Sequence, residues 1–232
     1  MPIALVTGAS RGFGRALAHD LAIHGWDLVV DARDAAALRD AGRDLAAHGT
    51  TVRTLAGDVT DAGHRHALVA AAEALGGLDL VVNNASTLGP SPQPPLADYP
   101  VDILAHVYET NVLAPLALVQ ASLPLLRRAG GTVVNVTSDA AVEAYEGWGG
   151  YGSSKAALDQ VTNVLAAEET ALRIYAFDPG DMRTQMHQEA FPGEDISDRP
   201  EPETVVPALR RLLRDRPSSG RYRASDFLVG RP

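Results

Sequence analysis

Short, largely apolar runs alternate with longer helical patterns along this chain, and that alternation limits the fold more than any other feature. Six runs are typical of buried strands, at residues 3–7, 27–31, 52–55, 78–83, 132–137 and 172–177. Helical patterns separate them at 15–24, up to about 48, at 61–75, from 100 to about 128, and at 151–170. Apolar strands separated by helices predict a parallel sheet covered on both faces. We therefore expect an α/β fold of the doubly wound, Rossmann type, with residues 1–232 forming a single domain.

Composition excludes several classes of function. The 232 residues are 46% hydrophobic, enough for a sizeable core, and contain no cysteine, while the seven histidines lack metal-ligand spacing. We expect no metal site. The net charge is -9, and the densest basic group, at positions 210, 211, 214 and 216, is predicted to be the exposed face and end of a late helix rather than a nucleic-acid patch. No leader is evident, and no apolar stretch reaches the roughly 20 residues of a membrane span, so a cytoplasmic protein without membrane contact is expected.

The segment Thr7-Gly8-Ala9-Ser10-Arg11-Gly12-Phe13-Gly14 joins the first strand to the first helix. Glycines at such a junction let the backbone turn tightly and approach a pyrophosphate, whose charge the helix start favours. A tight turn alone would also require glycine. The position of the segment, at the first strand-helix junction of an alternating pattern, favours a dinucleotide site.

The T-G-x-x-x-G-x-G spacing of this turn resembles the short-chain dehydrogenase/reductase family, and further motifs follow in the order of that family. They are Asp58-Val59 after the third strand, Asn83-Asn84-Ala85 after the fourth, Asn111 in the long helix, Ser138 after the fifth strand, Tyr151-x-x-x-Lys155 in the next helix, and Pro179-Gly180 with Thr184 after the sixth strand. Ser86 stands where the family has a glycine. The ordered set covers nearly the whole chain.

The resemblance implies an oxidoreductase that moves a hydride between a nicotinamide coenzyme and a carbonyl or alcohol. Tyr151 would be the general acid in reduction and the base in oxidation, with Lys155 lowering its pKa and binding the nicotinamide ribose. Ser138 would polarise the substrate oxygen, and Asn111 would hold a water that supplies protons to Lys155. From spacing alone, a tyrosine four residues before a lysine is more typical of a solvated helix pair. Ser138, thirteen residues earlier, reverses that preference.

The resemblance also predicts which residues contact the coenzyme. They are Gly8, Ser10, Arg11, Gly12, Phe13, Gly14, Arg33, Asp58, Val59, Asn84, Ala85, Tyr151, Lys155, Pro179, Gly180 and Thr184. For Asn84, bracing the strand end is as plausible as touching the ribose. Asp139, beside Ser138, has no place in the expected mechanism.

The end of the second strand bears on the choice of coenzyme. An acid there selects NAD by binding the ribose hydroxyls, but the matching position is Ala32, followed by Arg33. A guanidinium suits a 2′-phosphate, and Arg11 points the same way, so NADP(H) is preferred. A one-residue change of register would make Asp31 the NAD-selecting acid, which keeps NAD(H) as the alternative.

Residues 181–203, rich in Pro, Asp and Glu, are predicted to form a lid over a small carbonyl or alcohol substrate. Four side chains of the lid could contact the substrate or only pack the lid: Met182, Met186, His187 and Phe191. Tyr145 and Trp148 are further candidates for substrate contact. Carbonyl reduction is favoured over alcohol oxidation. A non-catalytic nucleotide-binding protein and an epimerase or dehydratase are the rival functions.

Two further expectations concern assembly and the last strand. Family resemblance implies a homodimer or homotetramer formed through the helices that contain Asn111 and Tyr151. The apolar residues of those helices would serve internal packing equally well; they are Leu113, Leu116, Leu118, Val161 and Leu165. Residues 225–229 resemble the family's last edge strand.

Overall fold

Seven parallel strands form the centre of the protein, which is described here by a computed structural model for residues 1–228. The strands are β1 (Ile3–Val6), β2 (Asp27–Ala32), β3 (Val52–Ala56), β4 (Leu80–Asn83), β5 (Thr132–Val136), β6 (Arg173–Asp178) and β7 (Gly220–Arg223). Their order in the sheet is β3-β2-β1-β4-β5-β6-β7, and every neighbouring pair is parallel. This is the Rossmann-type α/β fold that the alternating pattern predicts.

Nine α-helices connect and cover these strands in the described part of the chain. They are α1 (Gly12–Ile23), α2 (Ala35–Ala46), α3 (Ala62–Leu75), α4 (Val101–Tyr108), α5 (Ala114–Ala129), α6 (Gly149–Glu168), α7 (Gln185–Ala190), α8 (Pro202–Asp215) and α9 (Ser225–Leu228). A π-helical turn, Glu109–Leu113, joins α4 to α5.

Each central strand is buried on both faces, because its alternate side chains enter two separate cores. In β1, Ala4 and Val6 pack with α1, α2 and α8, whereas Ile3 and Leu5 pack with α3, α5 and α6. The strand therefore has no polar face. This two-sided burial explains why the strands read as unbroken apolar runs in the sequence.

The strand order places a binding crevice at one edge of the sheet. The chain winds outward from β1 to β3 in one direction and from β4 to β7 in the other, so connections diverge between β1 and β4. Ligands of such sheets bind beyond the carboxyl ends of the strands at this divergence. In register, Val6 lies beside Val82, and Val136 lies beside Phe177. The residues that follow these strands therefore meet at one edge.

The last strand differs from the prediction. Ser225–Leu228 is helical rather than extended, while residues 229–232 lie outside the described part of the chain, and the edge strand is Gly220–Arg223. Asp226 caps the turn by accepting from the Arg223 amide at 2.8 Å. The sequence did not predict this edge strand, because it has no apolar run. Its Tyr222 ring packs edge-on against Tyr175 of β6, with ring centroids 5.7 Å apart.

No apolar stretch as long as a membrane span was expected from the sequence. That expectation is corrected by Val101–Ala129, which by length and composition is apolar enough to cross a membrane. The apolar residues in the second half of this stretch pack against the sheet, as in a core helix of an α/β fold. Leu118, Val119, Leu125 and Leu126 are buried under the sheet in the same core as α3. Burial beneath a parallel sheet requires the same apolar composition as a membrane span.

The structure shows the exposure of the apolar helix residues and the location of the basic group whose roles were open in the sequence. Leu118 and Leu165 are buried within the chain, whereas Leu113 is half exposed. Of the basic group, Arg210, Arg211 and Arg214 lie on α8, and Arg216 lies at its C-terminal end; Arg210 pairs with Asp20 of α1 at 2.9 Å.

Candidate active site

A cavity of about 1320 Å³ opens at the carboxyl edge of the sheet. It extends from the glycine turn to the segment that contains α7, and all of the predicted site residues line it except Gly14 and Asn111. Typical sites for one small molecule measure roughly 300–1,000 Å³. The cavity therefore has room for a dinucleotide together with a second ligand.

The glycine turn forms one end of the cavity. Gly8 and Gly12 adopt positive φ angles of 67° and 57°, which side chains rarely tolerate. α1 begins at Gly12, and no side chain caps its first turn. Amide groups at an uncapped helix start attract anions, so this end of the cavity fits the pyrophosphate of a dinucleotide.

Gly14 and Asn84 lie behind the turn and support its shape. A Cβ at Gly14 would come within 2.4 Å of the Asn84 Nδ2 and 2.6 Å of the Gly8 carbonyl. The Asn84 amide donates to the carbonyl oxygens of Thr7 (2.8 Å) and Gly8 (3.2 Å). Of the two roles considered for Asn84, these bonds correspond to bracing the strand end.

Asp31 and Arg33 at the end of β2 both line the cavity, but their side chains differ in exposure. The Asp31 side chain is buried and accepts from the Gly8 amide at 2.8 Å and from His64 Nε2 at 3.0 Å. Ala32 is also buried, whereas Arg33 is exposed. The carboxylate considered as an NAD-selecting acid is therefore already engaged by protein groups.

Asp58 stands at the end of β3 beside this arginine. Its Oδ1 accepts from the Thr60 amide (2.9 Å) and the Thr60 hydroxyl (2.8 Å). Burial alone would raise the pKa of Asp58, but the Thr60 hydrogen bonds and the Arg33 charge hold it below its ordinary value. Asp58 therefore stays ionised and can accept a hydrogen bond from a ligand.

Tyr151 and Lys155 project from α6 at the opposite end of the cavity, and both side chains are buried. The Lys155 Nζ lies 5.5 Å from the centroid of the Tyr151 ring and donates to the Val136 carbonyl at 2.8 Å. Burial lowers the pKa of Lys155 to about 8, against a smaller opposing effect of Asp159. The amine is therefore near its titration point at physiological pH.

The pKa of Tyr151 is raised above its ordinary value, whereas the family resemblance implies that Lys155 lowers it. Burial raises this pKa most, and the nearby Asp178 carboxylate raises it further, while hydrogen bonds with Ser86 and Ser138 lower it. The Lys155 charge is not among the leading causes. A phenol in this environment keeps its proton at neutral pH.

Ser138 and Asp139 form one hydrogen-bonded unit, although sequence reasoning found no role for Asp139. The Ser138 hydroxyl donates to Asp139 Oδ1 at 2.9 Å, and the Tyr145 hydroxyl donates to Asp139 Oδ2 at 2.9 Å. Asp139 thereby orients the serine and holds Tyr145 at the cavity wall. Only the local fold reveals this role, since a lone acid after a serine carries no specific signal.

Asn111 lies in the π-helical turn with its side chain buried beside Ser86 and Ser154. Its Oδ1 accepts from the Ser86 hydroxyl (3.0 Å) and the Thr87 amide (2.9 Å), while its Nδ2 donates to the Thr87 carbonyl (2.9 Å) and the Ser154 hydroxyl (3.0 Å). These four bonds use the full capacity of a carboxamide. The carboxamide is thus held by protein groups, and the expected role of Asn111 in holding a water stays a prediction.

Arg221 of β7 is a residue near the site that sequence reasoning missed. Its guanidinium pairs with Asp159 of α6 and with Asp178 at the end of β6, each at 3.0 Å, and donates to the Ser138 carbonyl at 3.0 Å. It thus connects three elements that carry site residues. No local pattern could signal this, because its partners lie 43 to 83 residues away in sequence.

Aromatic and sulfur-containing side chains form the outer wall near Tyr151. The Trp148 ring lies 5.9 Å from the Tyr151 ring and 5.7 Å from Phe191, and Met182 and Met186 line the same cavity. These side chains both face the cavity and pack the segment after β6. This part of the wall therefore offers an apolar and aromatic surface.

Comparison with known proteins agrees with this geometry. The family model described as "short chain dehydrogenase" matches residues 2–195. The chain belongs to the short-chain dehydrogenase family. Sepiapterin reductase of Xenopus laevis is 34% identical over 230 residues, covering 94% of this chain and 84% of that protein. The protein is accordingly an NAD(P)-dependent oxidoreductase.

Solved structures of short-chain dehydrogenases match the fold closely. A short chain dehydrogenase from Pseudomonas syringae superposes with a TM-score of 0.90 at 31% identity, covering 96% of this chain and 94% of that one. An alcohol dehydrogenase from Thermococcus sibiricus, complexed with 5-hydroxy-NADP, superposes with a TM-score of 0.87 at 28% identity and covers 100% of this chain and 99% of that one.

Proposed function

We propose that this chain is an NADPH-dependent reductase of ketones or aldehydes. The proposal rests on one observation: Ser138, Tyr151 and Lys155 meet at one end of a cavity whose other end is an uncapped helix start beside Arg33. The first group can protonate a carbonyl oxygen, and the second can bind a phosphorylated dinucleotide.

The residues of the glycine turn would hold the pyrophosphate, and Asp58 and Val59 would contact the adenine. Arg33 and Arg11 are the two arginines that line this half of the cavity, and a guanidinium suits the 2′-phosphate that distinguishes NADPH from NADH. The Thermococcus sibiricus relative, complexed with 5-hydroxy-NADP, supports the same preference. Pro179, Gly180, Ala85 and Thr184 would border the nicotinamide end, where the bound coenzyme supplies the hydride.

Tyr151 acts as the general acid in this mechanism. As negative charge develops on the carbonyl oxygen, the phenol transfers its proton to that oxygen. The phenol carries its proton before the reaction begins, because burial keeps its pKa above neutral pH. Lys155, with a pKa of about 8, can return a proton toward the phenolate side at neutral pH.

Ser138 stabilises the developing charge by a hydrogen bond to the same oxygen. In the structure its hydroxyl donates to Asp139, so it turns toward the substrate oxygen when substrate binds. Residues 181–203 form the outer wall and act as a lid, because α7 and Phe191 border the substrate end of the cavity.

The test is a panel of ketones and aldehydes with purified protein, followed by the loss of NADPH absorbance. We expect turnover of at least one apolar or aromatic carbonyl, and removal of the acid by Tyr151→Phe should lower kcat by about 10²–10⁴-fold while NADPH binding is retained. Tyr222→Phe is the matched control, since Tyr222 does not line the cavity and its hydroxyl donates to the Ser218 carbonyl. Equal activity of the Tyr151→Phe and wild-type proteins would contradict the mechanism.

A further inference from the structure

A buried aspartate and histidine lie beneath the adenosine half of the cavity. Asp31 is 1% exposed, and each of its three oxygen atoms accepts a hydrogen bond. Its Oδ1 accepts from the Gly8 amide (2.8 Å), its Oδ2 from His64 Nε2 (3.0 Å), and its carbonyl oxygen from the Ala9 amide (2.9 Å). The carboxylate therefore ties the end of β2 to the first residues of the glycine turn.

The fold makes room for the histidine in a specific way. His64 belongs to the first turn of α3, where its amide donates to the Asp61 cap at 2.6 Å. Its ring lies against Gly57 at the end of β3, so closely that a Cβ there would come within 2.3 Å of Nδ1. The glycine and the helix cap together direct Nε2 at Asp31.

Asp31 occupies a sensitive position for coenzyme choice. It lines the same cavity as Arg33, two residues further along the chain. A carboxylate free to turn toward the ribose would accept hydrogen bonds from its hydroxyls and would repel a 2′-phosphate. Because Oδ2 is held by His64, the carboxylate stays on the turn and its charge is offset by a hydrogen-bond donor.

We propose that His64 is a specificity-determining residue for the coenzyme, acting through Asp31. By pairing with this carboxylate, His64 holds it away from the ribose, so that Arg33 is the charged group that a 2′-phosphate meets. The inference rests on the NADPH preference proposed above. A merely structural role for His64 would predict a different result, because loosening the glycine turn would weaken NADPH and NADH binding equally.

Coenzyme binding tests this without any substrate. NADPH and NADH are titrated separately against each variant, and the fluorescence of the bound nicotinamide gives each Kd. His64→Leu removes the hydrogen-bond donor. We expect its Kd for NADPH to rise about 10-fold, a change equivalent to about 1.4 kcal/mol. Its Kd for NADH should change by less than about 3-fold. His64→Gln keeps a donor of similar reach and should retain the wild-type preference.

Two further variants isolate the carboxylate. His66→Leu, the same change at an exposed position of α3, should leave both affinities unchanged. Asp31→Asn keeps an acceptor for the Gly8 amide but removes the charge, and it should restore NADPH preference to the His64→Leu protein. If His64→Leu does not fold, Asp31→Asn alone decides, since it should preserve or increase the preference for NADPH.

The outcomes separate this inference from the proposed function. Equal weakening of both coenzymes in His64→Leu, or loss of NADPH preference in Asp31→Asn, overturns the inference while the reductase assignment stands. A wild-type protein that binds NADH more tightly than NADPH overturns both the coenzyme preference and the role of His64. Turnover of a carbonyl with either coenzyme would still support the reductase.

Discussion

Replacement of Arg221 by methionine should cost this protein much of its stability. The methionine keeps most of the aliphatic volume but removes the guanidinium that pairs with Asp159 and Asp178 and donates to the Ser138 carbonyl. The side chains of these two aspartates are 11% and 5% exposed. Each would be left as a poorly hydrated charge with one partner missing.

The magnitude follows from the cost of breaking a buried ion pair by removing one partner, about 3–5 kcal/mol. Arg221 itself is 22% exposed, so water can partly replace it, and we expect the lower limit of about 3 kcal/mol. For a chain of this size, about 1 kcal/mol lowers Tm by roughly 2–4 °C. The variant should therefore unfold about 6–12 °C below the wild type.

The pH dependence has a definite sign. Burial raises the pKa of Asp159, and Arg221 opposes that rise, so the variant should show a still higher folded pKa. When the folded pKa lies above the unfolded pKa, the native state binds more protons than the unfolded state at pH values between the two. The free energy of unfolding therefore falls as pH rises through the folded pKa. The deficit of Arg221→Met should accordingly be larger at neutral pH than in mildly acidic buffer.

Thermal and urea unfolding measure the deficit, with Arg223→Met as the matched control. Arg223 is an exposed residue of the same strand, and its replacement should shift stability by less than about 0.5 kcal/mol. Asp178→Asn in the Arg221→Met background should recover part of the loss, because it removes one of the stranded charges. Arg221→Met and Arg223→Met proteins of equal stability would refute the reasoning.

Two other changes have clear expected results. Gly14→Ala should abolish coenzyme binding and cost about 1–3 kcal/mol, because its Cβ would collide with Asn84 and the Gly8 carbonyl; fluorescence titration and urea unfolding check this, and wild-type affinity would contradict it. Lys155→Met should stabilise the inactive protein by up to about 3 kcal/mol at neutral pH, because a buried amine with a pKa of about 8 is costly to keep charged. The wild-type protein should regain stability as pH rises from 8 toward 10.5, the ordinary pKa of a lysine, since the unfolded state then binds more protons; a Lys155→Met protein less stable than wild type at neutral pH would refute this.

The sequence by itself was sufficient for the fold class and for the first six strands in chain order. Strands covered on both faces must be apolar throughout, so each central strand is visible as a local run. The glycine turn and the Tyr151-x-x-x-Lys155 pair are equally local, because a turn and a helix face are each defined within eight residues. The assignment of these residues to one end of the sheet follows from the chain winding alone.

Only the tertiary structure shows which buried charged side chains pair with each other across the sheet. Asp31 pairs with His64, 33 residues later, and Arg221 with Asp159, 62 residues earlier. Nothing near either residue in sequence distinguishes such a partner from a solvated charge. The edge strand Gly220–Arg223 was missed for a related reason: an edge strand needs no continuous apolar run, and its place is determined by pairing with β6. Periodicity records whether a residue is buried, whereas the partner of a buried charge is determined by strand order and register.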